Sequence, residues 1–360
     1  MSQESGARAP LPHQDEGDDV RRTAIGLDIG SSSLRAAQVS FHRDGVQLER
    51  ISQVGLPAGA VVNGEVVDAA ALTDAVRLLW KQARFGSRRV ALGVANQRVL
   101  VRQVELPPLS PADLKAALPF QVQEHLPMPA DAAVLDFLPL APVSGPGGTA
   151  LVRGLLVAAP RDMVTTTVDA VQAAGLVVDT VDLTPFAVLR ATRAPRDLDV
   201  EALVDIGARL TTVIVHSAGT PRFVRILLSG GDDITAAVSE AAAVPFAEAE
   251  RLKRAAAGSD QVSPAVGAAL SMSAQELVEE IRSSLDYDTA TGGSVASRVV
   301  IVGGGSQLEG FPERLEEATG REVVRGDGLR GLRQRPGKKD LPPLSASDAA
   351  SVGLALGGSR

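Results

Sequence analysis

Two short stretches carry the same three residues in the same setting: Asp28-Ile29-Gly30 and Asp205-Ile206-Gly207, 177 residues apart. Apolar residues precede each aspartate, and hydroxyl residues follow soon after: Ser31, Ser32 and Ser33 in the first copy, Thr211 and Thr212 in the second. A strand that runs into Asp-x-Gly and turns back through small residues can aim N–H groups at phosphate oxygens. Glycine lets the backbone approach closely and the turn forms an anion-binding nest; Ser31 to Ser33 would supply such donors. The carboxylate at the strand end could hold a magnesium ion through water, since magnesium keeps several waters and takes few protein carboxylates. One copy alone reads as an ordinary hairpin turn, where Asp and Gly are common for conformational reasons. Two copies on lobes packed face to face would place Asp28 and Asp205 on either side of a nucleotide-bound magnesium.

Two further elements could complete such a cleft. Gly303-Gly304-Gly305 directly follows a strand-like run from Arg298 to Val302 and would let the backbone lie flat against a purine or its ribose. It is not a dinucleotide fingerprint: Leu308 stands where a third Gly or Ala is required and no βαβ unit follows, although Glu322 could have met a ribose. No Walker A pattern occurs. Glu250 and Lys253, three apart on one helical face, could grip both ribose hydroxyls; the same spacing also makes a solvated ion pair, which residue type alone favours. The four histidines are scattered without metal-ligand spacing, and His216, in a strand, reads as a packing residue.

The elements that must position these residues are bounded by composition. The chain has 360 residues, 45% of them hydrophobic, a formal charge of −7 and no cysteine, which predicts a soluble, well-packed protein of about two units. Without cysteine there is no disulfide framework, thiolate zinc site or cysteine nucleophile, and the absence suits a reducing cytoplasm. The acidic balance and 3% aromatic content argue against a nucleic-acid partner, which needs a basic face or stacking platforms. No apolar run approaches the ~18 residues of a membrane span, and the polar, acidic opening is unlike a signal peptide. Direct membrane insertion is not expected. Residues 1–22 read as an acidic tail too poor in apolar side chains to order.

Residues 23–89 predict a β-meander, broken at Arg43-Asp44-Gly45, and then a helix capped by Asp68 with Leu72, Val76 and Leu79 on one face. The same order returns in 201–325: strands around Asp205, a Ser217-Ala218-Gly219 turn and the capped helix GGDDITAAVSEAA. The offset is far longer than a solenoid period, so two homologous lobes are expected. Residues 90–182 read as an inserted α/β subdomain in the first lobe, with a surface loop at SGPGGT. Pro119, Pro127 and Pro129 break its helical segment into two short helices and a strand. Residues 183–200 return to the first lobe. In the second lobe PFAEAERLKRAAA reads as a helix, GSDQVSPAVGAALSMS as loop-like, and SAQELVEEIRSSLDY as a helix with Leu277, Ile281 and Leu285 on one face. Residues 326–343 read as a flexible loop and 344–360 as a capped apolar helix returning to the first lobe.

In this order IGLDIGSSSLRAAQV, LVDIGARLTTVIV, AERLK and VVIVGGGSQLEG resemble the phosphate-1, phosphate-2, ribose-contacting and adenosine motifs of the actin-like ATPase superfamily. The segments between them, among them LPMPADAAVLDF, LLVAAPRDMV, GLVVDTVDLTPFAVLRA, VRILLSGGDDIT and EEIRSSLDY, are similar to the PilM family of type IV pilus assembly. The resemblance implies an α/β, actin-like (ribonuclease H-like) duplicated two-lobe fold with an inserted FtsA-type subdomain in the first lobe. It implies ATP and Mg2+ as cofactors, with Asp28 and Asp205 at the magnesium and Gly30, Ser31, Ser32 and Gly207 along the phosphates. Glu250 and Lys253 would meet the ribose, and Gly303, Gly304 and Gly305 the adenosine. It further implies a cytoplasmic scaffold peripheral to the inner membrane, holding the N-terminal cytoplasmic tail of PilN in a groove beside the inserted subdomain. Other platform proteins would be further partners, and self-association is left open.

One position departs from the superfamily. Where many relatives have Glu before the Pro of Glu-Pro-x-Ala, associated with orienting the attacking water, this chain has Thr184 before Pro185. A threonine hydroxyl is a poor general base at neutral pH, so ATP binding with slow or absent hydrolysis is expected. An active ATPase or sugar kinase of the same fold and an FtsA-like filament protein are the alternatives. The second is attached by a C-terminal amphipathic helix, for which SVGLALGGSR has neither the length nor the charge.

Overall fold

A computed structural model of the chain describes residues 22–43, 45–192, 200–256, 263–326, 329, 332–334 and 344–358. The acidic tail expected over 1–22 lies outside the described residues apart from Arg22, as does most of the loop expected over 326–343.

The first lobe begins with the antiparallel meander β1 (Arg22–Ile29), β2 (Ser33–His42) and β3 (Gly45–Gly55), then a small hairpin of β4 (Val61–Val62) and β5 (Glu65–Val66). Helix α1 (Ala69–Ala83) follows, its start set by Asp68, whose side chain accepts the Ala71 N–H. Strand β6 (Arg89–Val94) returns parallel to β1. Then come β7 (Leu100–Leu106), α2 (Pro111–Gln121), β8 (Ala133–Ser144) and β9 (Ala150–Pro160), whose strands form a separate sheet in the order β7-β9-β8. Helix α3 (Arg161–Ala173) leads to β10 (Val177–Leu183), parallel to β6, and to α4 (Thr184–Ala191).

The second lobe repeats the plan with β11 (Glu201–Ile206), β12 (Thr211–Ser217) and β13 (Thr220–Leu227), followed by α5 (Gly231–Ala242), α6 (Phe246–Ala255) and α7 (Pro264–Ala290). It closes with β14 (Arg298–Val302), α8 (Phe311–Thr319) and β15 (Glu322–Arg325). Strand β16 (Arg333–Gln334) joins the edge of β3, and α9 (Ala349–Gly357) ends the described chain.

The duplication extends to the hydrogen bonds. The sheets run β10-β6-β1-β2-β3 and β15-β14-β11-β12-β13, each with two parallel pairings followed by two antiparallel ones. Asp28 pairs with Arg35 and Ile29 with Leu34; in the second lobe Asp205 pairs with Thr212 and Ile206 with Thr211. Both turns close alike: the Gly30 N–H donates to the Ser33 carbonyl at 3.1 Å and the Gly207 N–H to the Leu210 carbonyl at 2.8 Å.

Alternation along the strands gives each sheet two apolar faces, as a sheet covered on both sides requires. One face of the first sheet (Ile25, Leu27, Leu34) packs on Leu72, Val76 and Leu79 of α1. The other, with Ala37 and Val39, packs on Val188 of α4 and Val352 of α9, and this core continues into Leu203, Ile214 and Val302 of the second sheet. Helix α9 lies almost against backbone: a Cβ on Gly26 would stand 2.1 Å from the Ser351 carbonyl oxygen.

Three expectations change. The separate sheet spans about 100–160 rather than 90–182 because β6 and β10 belong to the six-stranded sheet of the first lobe. Helix α2 keeps Pro119 inside it, and single 3-10 turns at Gln123–His125 and Ala130–Ala132 take the place of a second helix. The segment read as loop-like before Ser273 is helical from Pro264 onward, since proline suits a first helical position and Ser263 caps it through the Val266 N–H. His216 is buried with its Nε2 3.3 Å from Oε1 of Glu201, whose Oε2 also accepts from Arg298. Burial pushes the Glu201 carboxyl up, but these partners outweigh it and hold it below its usual range. Among the described residues no helix is long and apolar enough to cross a membrane.

Candidate functional site

A cleft of about 670 Å³ opens between the two sheets, and both Asp-x-Gly turns form its floor. Asp28, Gly30, Ser31 and Ser32 line it from the first lobe; Asp205, Gly207, Glu250, Lys253 and Gly303, Gly304 and Gly305 line it from the second, and Thr184 also faces it. Ser33 does not. It opens β2 with a buried side chain, and its part in the turn is the carbonyl that receives the Gly30 N–H.

The two aspartates face one another electrostatically. Burial raises the Asp28 carboxyl to about 6, opposed by Arg35 and reinforced by Asp348. Burial also raises Asp205, to about 7, with the charge of Asp28 adding to it and Arg35 opposing it. Two desolvated carboxylates sharing one guanidinium leave negative charge that a divalent cation would balance. The donor set fits magnesium held largely through water and phosphate: the oxygens are hard, and among the described residues no group of three or more His, Asp or Glu could enclose a metal alone.

The glycine run is held by steric necessity. Gly303 adopts φ +82, and a Cβ there would stand 2.4 Å from Oδ1 of Asp205 and 2.5 Å from the Ile206 carbonyl oxygen. Only glycine lets the turn after β14 lie against the Asp205 turn, which brings the 303–305 backbone into the cleft wall.

Glu250 and Lys253 on α6 are tied into the second lobe rather than solvated. Their ion pair is 2.7 Å long, with side chains 27% and 13% exposed. Lys253 Nζ also donates to the Gly231 carbonyl at 2.8 Å and to Thr235 Oγ1 at 2.7 Å, and Arg254 holds the other oxygen of Glu250 at 2.7 Å. Burial pushes the Glu250 carboxyl up, yet Lys253, Thr235 and Arg254 outweigh it and keep it below its usual range. Arg35, Arg209, Asp232 and Phe246 are among the lining residues that the sequence reading did not expect. Arg35 had a legible signal, because a tight hairpin puts it directly opposite Asp28.

Two duplicated sheets of this order around a shared cleft define the actin-like ATPase fold. Solved structures agree: ethanolamine utilization protein EutJ from Carboxydothermus hydrogenoformans is 17% identical with TM-score 0.55, covering 97% of this chain and 91% of that one. MreB5 of Spiroplasma citri bound to ADP is 10% identical with TM-score 0.51, covering 93% and 95%. Residues 26–359 match the model of the family Type IV pilus assembly protein PilM, and the chain belongs to that family. A chain of the PilM-PilN type IV pilus biogenesis complex superposes with TM-score 0.82 at 27% identity, covering 94% of this chain and 98% of that one. The cell division protein FtsA of Streptococcus pneumoniae serotype 2 (strain D39) is 25% identical over 342 residues, 83% of this chain and 74% of the relative. The protein is an actin-like protein of pilus assembly.

Proposed function

We propose that this chain is a nucleotide-clamped scaffold of the pilus inner-membrane platform, binding Mg2+-ATP between its lobes and, in that state, the N-terminal cytoplasmic tail of PilN. The observation that carries the nucleotide reading is the pair Asp28 and Asp205, both desolvated and mutually repelling at the ends of matched glycine turns. A magnesium ion there would supply the positive charge that lets both carboxylates ionise. Gly30, Ser31, Ser32 and Gly207 bind the phosphates, Glu250 and Lys253 the ribose, and the 303–305 backbone the adenosine.

The partner reading rests on family membership and on the relative whose complex with PilN superposes over most of both chains. With PilN as the anchored partner, the chain sits at the cytoplasmic face of the inner membrane; among the described residues no helix is long and apolar enough to cross it. Coupling to nucleotide operates only through a difference in tail affinity between open and clamped lobes.

Hydrolysis is slow or absent in this reading. Thr184 offers a hydroxyl in place of a carboxylate, Glu250 is paired with Lys253, and Asp28 and Asp205 are committed to the cation. The test is thermal unfolding in magnesium with and without ATP, on wild type and Asp28→Asn. ATP stabilises the wild type by about 2.7 kcal/mol at a hundredfold excess over Kd and leaves the variant unmoved. Absence of any ATP-dependent rise in the wild type sinks the nucleotide reading. Equal PilN-tail affinity with and without ATP sinks the coupling alone.

A further inference from the structure

The two Asp-x-Gly turns match in register and in closing hydrogen bond but differ at the three positions after the glycine, Ser31, Ser32 and Ser33 in the first copy against Ala208, Arg209 and Leu210 in the second. At the 177-residue offset, Arg209 stands where the first copy has Ser32, and both line the cleft. A short neutral hydroxyl faces the cleft from one lobe, and a long permanent cation with a planar fork of donors faces it from the other.

Arg209 is held loosely. Its Nε lies 3.4 Å from Oδ2 of Asp232 with the side chain 49% exposed, longer than a good charge-assisted hydrogen bond. Its contact is not structural mortar, because the turn is fastened to α5 by backbone instead: the Gly231 N–H donates to the Gly207 carbonyl at 3.0 Å and the Asp232 N–H to the Ala208 carbonyl at 2.7 Å. Asp232 also keeps Lys253 as a second positive neighbour and sits in the first turn of α5, where the helix dipole favours negative charge. The guanidinium can therefore leave Asp232 while the turn and helix stay joined.

We propose that Arg209 reads the terminal phosphate of the bound nucleotide: with a triphosphate its guanidinium moves from Asp232 to the terminal phosphate oxygens, and with a diphosphate it stays on Asp232. This rests on the nucleotide reading of the cleft and adds what distinguishes the two nucleotide states. A guanidinium fork matches phosphate oxygens bidentately and is stronger there than on a single carboxylate oxygen at long range. The second lobe thus carries an element whose partner changes with the number of phosphates, as a nucleotide-dependent scaffold requires.

The experiment is calorimetric titration of the full chain with Mg2+-ATP and, separately, Mg2+-ADP, for wild type, Arg209→Ala, Arg209→Lys and Asp232→Asn. Arg209→Ala weakens ATP by about 10- to 100-fold, the size of a lost hydrogen bond to a charged group, and ADP by less than about threefold. Arg209→Lys recovers part of the ATP affinity, since it keeps the charge without the fork. Asp232→Asn, which removes the competing carboxylate, raises the preference for ATP over ADP. Equal losses for both nucleotides, or no loss for either, overturn the role of Arg209 and leave the cleft reading standing. A wild type that binds neither nucleotide overturns both.

Discussion

Asp28 and Asp205 are pushed upward for the same reason, and the direction sets how the ligand-free protein responds to pH. Their folded-state values, about 6 and about 7, exceed the ordinary 3.8, so the folded state binds more protons than the unfolded one between these limits. Stability from these groups is fully present below about pH 4 and is lost as pH rises through 6 and 7. In metal-free buffer Asp205→Asn flattens that decline, and denaturant titrations at pH 5 and pH 8 read it: the variant gains on the wild type at the higher pH. A larger gain at pH 5 than at pH 8 would contradict the assigned burial. Gly303 is a second residue-scale test. Gly303→Ala places a methyl group against Oδ1 of Asp205 and the Ile206 backbone at a left-handed φ, and costs stability by at least about 1–3 kcal/mol. A variant as stable as wild type in urea would show that the turn has room that the contacts deny.

Helices α4 and α9 lie between the two sheets and belong to the core that joins them. The close approach of α9 to β1 makes Gly26→Ala a test of the element as a whole. A Cβ there meets the Ser351 carbonyl at 2.1 Å and the Ala355 nitrogen at 2.4 Å, both backbone atoms, so the whole helix must shift. The expected loss, at or above about 3 kcal/mol, exceeds the ~1 kcal/mol for removing the Asp68 cap of α1 with Asp68→Ala. Equilibrium unfolding of the two variants ranks them. The opposite ranking would mean that α9 is a loosely docked appendage.

One apolar cluster contains residues of both sheets, while the cleft between them is lined by charged and polar side chains together with apolar ones. A ligand in the cleft would touch residues of both lobes. At this scale the expected outcomes are ATP turnover below about 1 per second, the lower end of ordinary enzymes, and a PilN-tail affinity that differs between ATP-loaded and nucleotide-free protein. Single-turnover phosphate release and peptide titration measure them. Turnover in the ordinary enzyme range would return the protein to the class of working ATPases despite Thr184.

Local chemistry was legible in the sequence wherever it depended on neighbours in the chain. The paired Asp-x-Gly turns, the meander around each, the Asp68 cap and the glycine run after β14 all express backbone preferences a few residues long. The recurrence of the turn and its meander at a 177-residue offset was enough to predict the duplicated lobes. Ser33 was misassigned because only the hydrogen-bond closure of the turn decides whether its side chain or its carbonyl is used. The start of α7 was missed because Pro264 reads as a breaker until its place at the first helical position is known. The boundaries of the inserted sheet depended on β6 and β10, whose parallel partners lie far away in the chain and leave no local mark. The influence of Arg35 on Asp205 of the other lobe, and the pairing of Arg209 with Asp232, belong to the tertiary structure alone. Burial and opposing charge are properties of the space around a residue, and that space is made by segments distant in sequence.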